Sequence, residues 1–260
     1  YIIDTYTNEP GVRKLKEILF EIISEINLEI LNKNENLTNP YIITKNLIKE
    51  VYLKDKIKMI HKTIHKNPGI GIINGLWANS LGMGGIIPIE TSFFPSNTFL
   101  DFKLTGLQGD VMKESMNVAK TLAWKLTNKK NQLSLIKSFK TTKLQGIHIH
   151  CPEGAVPKDG PSAGTAITTC MYSLFNDLKI KNNIAITGEI DLHGNVTQIG
   201  GLNLKILGGI KAGVDTFIYP ITNQDDFDKF MDKQKNKDIF KDIEFISVSN
   251  IEEVLKIVFI

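Results

Sequence analysis

From residue 147 onward the chain alternates short apolar runs with amphipathic stretches, and this constrains the fold more than any other feature of the sequence. Residues 147–151, 183–190, 216–219 and 244–248 have the length and β-branched content of strands. Residues 161–175, 202–211, 224–232 and 251–259 read as the helices between and after them. Strands that take turns with helices bury their apolar faces when the helices pack on a sheet. The expected class is therefore α+β, with mixed sheets and packed helices. Upstream, residues 70–76, 86–91 and 98–103 read as further strands, and Gly82-Met83-Gly84-Gly85 as a hairpin connection. Asp110 is expected to cap a helix that runs to about Leu126.

The N-terminal region has a different period. Val12, Leu15, Ile18, Leu19, Ile22, Ile23, Ile26 and Ile30 share one face of a helix over residues 11–31. A turn at Asn39-Pro40 and a short extended piece over 41–43 follow, then a helix capped by Thr44 that reaches about Tyr52. A lysine-rich stretch, 54–66, reads as a linker closed by Asn67-Pro68-Gly69. The expected organisation is a small helical segment, residues 1–57, before a larger domain, residues 58–260.

Composition narrows the function classes. With 31 basic and 28 acidic side chains and 42% hydrophobic content in 260 residues, disorder is excluded and a sizeable core is affordable. Cys151 and Cys170 are too few for a disulfide framework or a four-ligand zinc site, so a reducing, intracellular compartment and apolar packing of both thiols are expected. No run approaches the ~18 apolar residues of a membrane span, and no secretory leader is legible. Arg13 is the only arginine, which argues against a nucleic-acid groove built from arginine forks. The chain starts at Tyr1 without a methionine and is expected to be a fragment of something longer.

Chemistry points first to Pro157-Lys158-Asp159-Gly160-Pro161-Ser162-Ala163-Gly164, between a strand and an apolar helix. Pro161 suits a first helical turn, and Ser162 would sit beside unpaired backbone N–H groups able to hold an oxyanion. The alternative is a serine that merely caps a helix start. A serine hydroxyl needs a base. His148 and His150 lie two apart on a strand, hence on one face, but no third metal ligand or positioned carboxylate accompanies them. His61 and His65 fall in the lysine-rich stretch and His193 in a turn, and none completes a Ser-His-Asp pattern. Lys205 lies one turn into a helix opened by Gly200-Gly201-Leu202, among apolar neighbours. A lysine acts as a base near neutrality only if its pKa falls about 3 units below ~10.4, which burial beside a helix N-terminus can supply. Otherwise it is one more surface lysine.

These segments, with Thr187-Gly188-Glu189-Ile190 and Ile199-Gly200-Gly201-Leu202-Asn203-Leu204-Lys205, resemble the proteolytic domain of the Lon family of ATP-dependent serine proteases. The resemblance extends to Gly75-Leu76-Trp77-Ala78, to Leu104-Thr105-Gly106 with Gly109-Asp110-Val111-Met112-Lys113-Glu114-Ser115, and to 147–155. Residues 6–13 resemble the last helical part of the family's AAA+ ATPase module. By this resemblance the nucleophile is Ser162 and the catalytic lysine Lys205. Thr187 is the threonine that bonds the lysine, and Asp159, Glu189 and His150 line the site. Arg13 matches a nucleotide-sensing arginine that acts only in the full-length protein. Asn203 departs from the lysine that many relatives carry there.

The resemblance implies a Ser-Lys endopeptidase, part of an ATP-dependent, hexameric protease of unfolded or misfolded proteins in the cytoplasm or an organelle matrix. ATP and Mg are implied for the full-length protein, and no metal or cofactor for this fragment, which lacks a G-x-x-x-x-G-K-[ST] loop. No specific nucleic acid and no membrane are expected as partners. The rival class is a proteolytically silent domain that forms rings or holds substrate. A third, a nucleotide or phosphate-binding module, rests only on glycine-rich turns and the lysine excess.

Overall fold

A computed structural model describes residues 1–7, 9, 11–32, 40–58, 62–152, 158–234 and 238–260. Asn39 of the expected turn, residues 59–61 of the lysine-rich stretch, and residues 8, 10 and 153–157 of the segments carrying the resemblance lie outside the described residues. The chain forms two compact units, residues 1–61 and 62–260.

In the first unit, Glu9 accepts the Lys14 and Leu15 N–H groups, at 3.0 and 2.8 Å, where helix α1 (Arg13–Leu31) has no intrahelical acceptors. Only one i, i+4 row of α1 is buried: Ile18, Ile22 and Ile26 pack with Ile2, Tyr6, Tyr52 and Leu53. Val12, Leu19, Ile23 and Ile30, expected on the same face, are exposed. The elements packed with α1 within this unit are short turns, which cover a single row. Thr44 caps as expected, its Oγ1 accepting the Leu47 N–H at 3.2 Å. The helix it opens is three residues, α2 (Lys45–Leu47), before a wider π-type turn over Ile48–Tyr52.

The second unit is built on a seven-stranded mixed sheet. Its strands are β2 (Ile72–Ala78), β3 (Gly84–Phe94), β4 (Phe102–Thr105), β5 (Gly146–His150), β7 (Ile184–Ile186), β10 (Thr216–Pro220) and β11 (Glu244–Val248). The spatial order is β11-β10-β7-β2-β3-β5-β4. Two short antiparallel pairs flank it, β1 (Gly69–Ile70) with β6 (Lys179–Ile180) and β8 (Glu189–Ile190) with β9 (Val196–Thr197). Side chains alternate between the two faces, so one strand feeds two cores. Ile184, Ile186 and Ile218 enter the core shared with α3 (Asp110–Leu126), α5 (Gly164–Asn176) and α8 (Ile251–Val258). Ala185, Phe217 and Tyr219 point the other way, to α6 (Leu202–Lys211) and α7 (Gln224–Asp232).

Several expectations shift. The strand read over 183–190 breaks into β7 and β8 at Thr187-Gly188. The strand read over 98–103 starts only at Phe102, because Leu100 adopts a left-handed backbone with φ 52°. An additional helix, α4 (Lys129–Thr142), is capped by Asn128 Oδ1 on the Asn131 N–H at 2.9 Å. That cap was the signal available in the sequence. The start of the lysine-rich stretch leaves Ile57 exposed, but its end is tied into this unit: Ile64 N–H donates to Ala212 O, and Asn182 donates to the carbonyls of His65 and Lys66. Both cysteines are fully buried and free.

Candidate active site

Ser162 lies in a one-turn 3-10 helix, Pro161–Ala163, that leads into α5. Gly160 enters that turn at φ 107°, a backbone that a residue with a Cβ rarely adopts, and Pro161 takes the first position, where no N–H is needed. The serine turn is held to the break between β7 and β8. The Gly188 N–H and the Thr187 hydroxyl both donate to Ser162 O, at 2.8 and 3.3 Å, and Thr165 returns two bonds to Gly188 O, at 3.0 and 2.9 Å. Thr187 is itself anchored to β10 through Ile218 O.

Lys205 reaches the same point from the opposite face of the sheet. Gly84 and Gly208 let α6 lie with its backbone against β3: a Cβ on Gly84 would sit 2.1 Å from Leu204 O, and one on Gly208 2.1 Å from the Gly84 carbonyl carbon. The hairpin glycines of the sequence are thus also the seat of the lysine helix. Lys205 is 3% exposed, and its Nζ donates to Thr187 Oγ1 at 3.0 Å. Burial pushes its pKa from 10.5 down to about 8. Among the described residues no carboxylate pairs with it. Thr187 therefore joins the two residues, accepting from the Lys205 amine and donating to the Ser162 carbonyl. No direct hydrogen bond links the Ser162 hydroxyl, which is half-buried, to the amine.

The other expected site residues are placed differently. The Asp159 carboxylate accepts the Met112 N–H at 3.0 Å, as well as its neighbour Gly160 N–H at 2.9 Å. It thus caps α3, the task expected of Asp110, which instead lies inside the first turn and pairs with Lys113 at 2.9 Å. Replacing Asp159 with Ala is expected to lower stability by about 1 kcal/mol, the usual cost of losing a cap, and urea denaturation would measure it. Glu189 is exposed at the start of β8, and among the described residues it makes no hydrogen bond to Ser162 or Lys205.

His150 Nδ1 and His148 Nε2 share the Thr105 hydroxyl, at 2.7 and 2.9 Å. They line an open cavity of about 390 Å³ with Glu90 and Ser92. Burial, then Lys103 and His150, push the His148 pKa down. Among the described residues no three His, Cys, Asp or Glu side chains converge as metal ligands. Arg13 is exposed on α1 and pairs with Glu17 at 3.4 Å. No helix among the described residues is long and apolar enough to cross a membrane.

Residues 42–260 match the profile of the Lon protease (S16) C-terminal proteolytic domain. The chain belongs to that family. It is 38% identical to the Lon protease of Clostridium acetobutylicum over 98% of its own length and 31% of that protein's. The Lon protease of Fervidobacterium nodosum is 35% identical over 98% of this chain and 29% of its own. For the Lon protease homolog of Acanthamoeba polyphaga mimivirus the identity is 34%, over 98% of this chain and 30% of that one. The chain thus spans about three-tenths of the length of these curated relatives. The α+β architecture, with sheets and packed helices, is the one the sequence predicted for a Lon-type proteolytic domain.

Proposed function

We propose that this domain is a serine endopeptidase with a Ser162-Lys205 dyad. The observation that carries the reading is a buried lysine, free of any carboxylate among the described residues, that shares one threonine hydroxyl with the backbone of the serine turn. Neutral Lys205 accepts the Ser162 proton as Oγ attacks the scissile carbonyl carbon. Backbone N–H groups after the Asp159-Gly160-Pro161 turn face the developing oxyanion at the helix start. The C–N bond breaks, Lys205 returns the proton to the leaving amine, and water hydrolyses the acyl-enzyme through the same base. The reaction requires the Ser162 hydroxyl to turn toward Nζ, a contact that tightens when substrate is bound.

The proposed substrate is unfolded polypeptide, taken as an added strand that is read mainly through its main chain. In a longer, ring-forming protein the domain would serve as the peptidase of an ATP-dependent protease. The nucleotide would be held elsewhere in that longer protein, a reading supported by a sequence here without G-x-x-x-x-G-K-[ST] and by Arg13, which is 91% exposed and turned to Glu17. The test is cleavage of an unstructured fluorogenic polypeptide from pH 6 to 10, together with mass-spectrometric mapping of a fluorophosphonate adduct. The expected rate rises through an apparent pKa near 8, and the adduct falls on Ser162. No cleavage and no adduct would favour a proteolytically silent role.

A further inference from the structure

Helix α4 takes no part in the candidate site, and its outward face concentrates charge. Residues 115–152 hold seven lysines and neither aspartate nor glutamate, against 24 basic and 28 acidic side chains in the rest of the chain. The basic excess of the protein is therefore local to this segment. At about 100° per residue, Lys129, Lys140, Leu133, Lys137 and Lys130 follow one another around about 100° of the helix, and all five are exposed. Leu133, 66% exposed, stands in the middle of the four lysines. The opposite side is turned to the domain: Leu135 packs on the core, and the Phe139 ring lies 5.2 Å from that of Phe99. Among the described residues, none of the four lysines pairs with a carboxylate.

The first turn of α4 is fastened to the far ends of the two helices that start at the serine turn. The Gln132 side-chain amide donates to Trp124 O at 2.7 Å near the end of α3, and that of Asn131 donates to Asn176 Oδ1 at 2.9 Å at the end of α5. Those helices have 17 and 13 residues, which makes them about 25 and 20 Å long. The lysine face therefore begins about 20–25 Å from Ser162, a distance that an extended peptide covers in about seven residues.

Four ammonium groups on one face fit an anionic partner, and Leu133 among them selects its kind. A nucleic-acid backbone offers nothing to an aliphatic side chain, and the face has neither an arginine fork nor an aromatic platform for bases. A helix that lies on a membrane turns its broad apolar face outward, whereas α4 turns its own toward the domain. An acidic polypeptide with interspersed aliphatic residues uses both features, its carboxylates meeting the lysines and an aliphatic side chain covering Leu133. Single exposed ion pairs are weak, so the four lysines have to act together. We propose that the outer face of α4 is a docking surface for acidic, leucine-bearing segments of the unfolded polypeptide substrate. The inference rests on the proposed serine endopeptidase for its substrate. A segment held there raises the local concentration of the scissile segment at Ser162.

The test has a binding arm and a kinetic arm. In the first, the anisotropy of a fluorescent peptide of repeated Glu-Glu-Leu-Gly reads its affinity for the Ser162→Ala chain. Combining Lys129→Gln, Lys130→Gln, Lys137→Gln and Lys140→Gln keeps good helix formers at exposed positions, so the unfolding midpoint is expected to hold. Affinity is expected to fall about tenfold in that variant and about threefold in Leu133→Ser. Equal affinity in the lysine variant would overturn the docking surface. An oligothymidylate that binds more tightly than the peptide and is indifferent to Leu133→Ser would overturn its assignment to polypeptide.

In the kinetic arm, a fluorogenic substrate carries the same acidic segment about seven residues from the cleaved bond. The lysine variant, with Ser162 intact, is expected to raise its KM about tenfold and leave kcat unchanged, and to process a substrate with glutamine for glutamate as the wild type does. An unchanged KM for the acidic substrate would overturn docking of substrate and leave the endopeptidase reading standing. A wild type that cleaves neither substrate and takes no fluorophosphonate on Ser162 would overturn that reading, and the binding arm then decides the docking surface by itself.

Discussion

Ser162→Ala is expected to reduce polypeptide cleavage by about four orders of magnitude or more and to leave the unfolding midpoint where it was. The first part follows from the loss of the only proposed nucleophile, since binding and oxyanion stabilisation without it give little turnover. The second follows from how the turn is held. Its links to Thr187 and Gly188 run through the Ser162 carbonyl, and the hydroxyl has no hydrogen-bond partner among the described residues. Alanine keeps every one of those bonds, so the change in stability should stay within about 0.5 kcal/mol. Thermal unfolding and a fluorogenic assay on the same preparations read both halves. Turnover that survives the substitution would remove Ser162 from the mechanism.

Lys205→Met should abolish activity and at the same time stabilise the domain. Loss of a positioned general base costs about 100- to 10,000-fold in rate. The stability gain follows from linkage. The folded pKa of Lys205 is about 8 and the ordinary value 10.5, so the unfolded chain holds a proton that the folded domain has released between those values. Wild-type stability therefore rises with pH across that window. Below pH 8 the domain carries the full cost of a buried ammonium, about 3 kcal/mol for a depression of this size. Methionine matches the length of the lysine stem and has no charge to bury.

The variant should consequently be more stable than wild type at pH 7 by up to about 3 kcal/mol, with the difference shrinking toward pH 10.5. Urea denaturation of both proteins at pH 7 and pH 10 would show it. A variant that is less stable at pH 7, or one that retains cleavage, would contradict a buried neutral base.

Much of the larger unit was legible because its elements carry local signals. The helices Leu202–Lys211 and Gln224–Asp232 and the strand Glu244–Val248 begin and end where their periodicity does. Errors arose where a distant residue replaced the local one. Asp110 has the residue type and position of a cap, but the carboxylate on the Met112 N–H belongs to Asp159, which is 47 residues away along the chain. In the apolar run after residue 183 the local signal of a break is Gly188, and it does not reveal that backbone bonding passes there from the sheet to the serine turn.

The candidate site divides along the same line. Sequence alone determined which residues to consider: a serine after an Asp-Gly-Pro turn and a lysine one turn into an apolar helix, to which the family resemblance added Thr187. It also determined the α+β class, since strand and helix periods are properties of short segments. Whether Lys205 is buried with a lowered pKa or is an ordinary surface lysine depends on its desolvation, and desolvation is set by everything packed around Nζ. That packing comes from Gly84 on a strand and Gly208 on a helix, far apart in the chain, whose missing side chains let α6 settle onto β3 and carry the amine to the Thr187 hydroxyl. Only the tertiary structure could decide it, because the pKa depends on neighbours that the local sequence does not name.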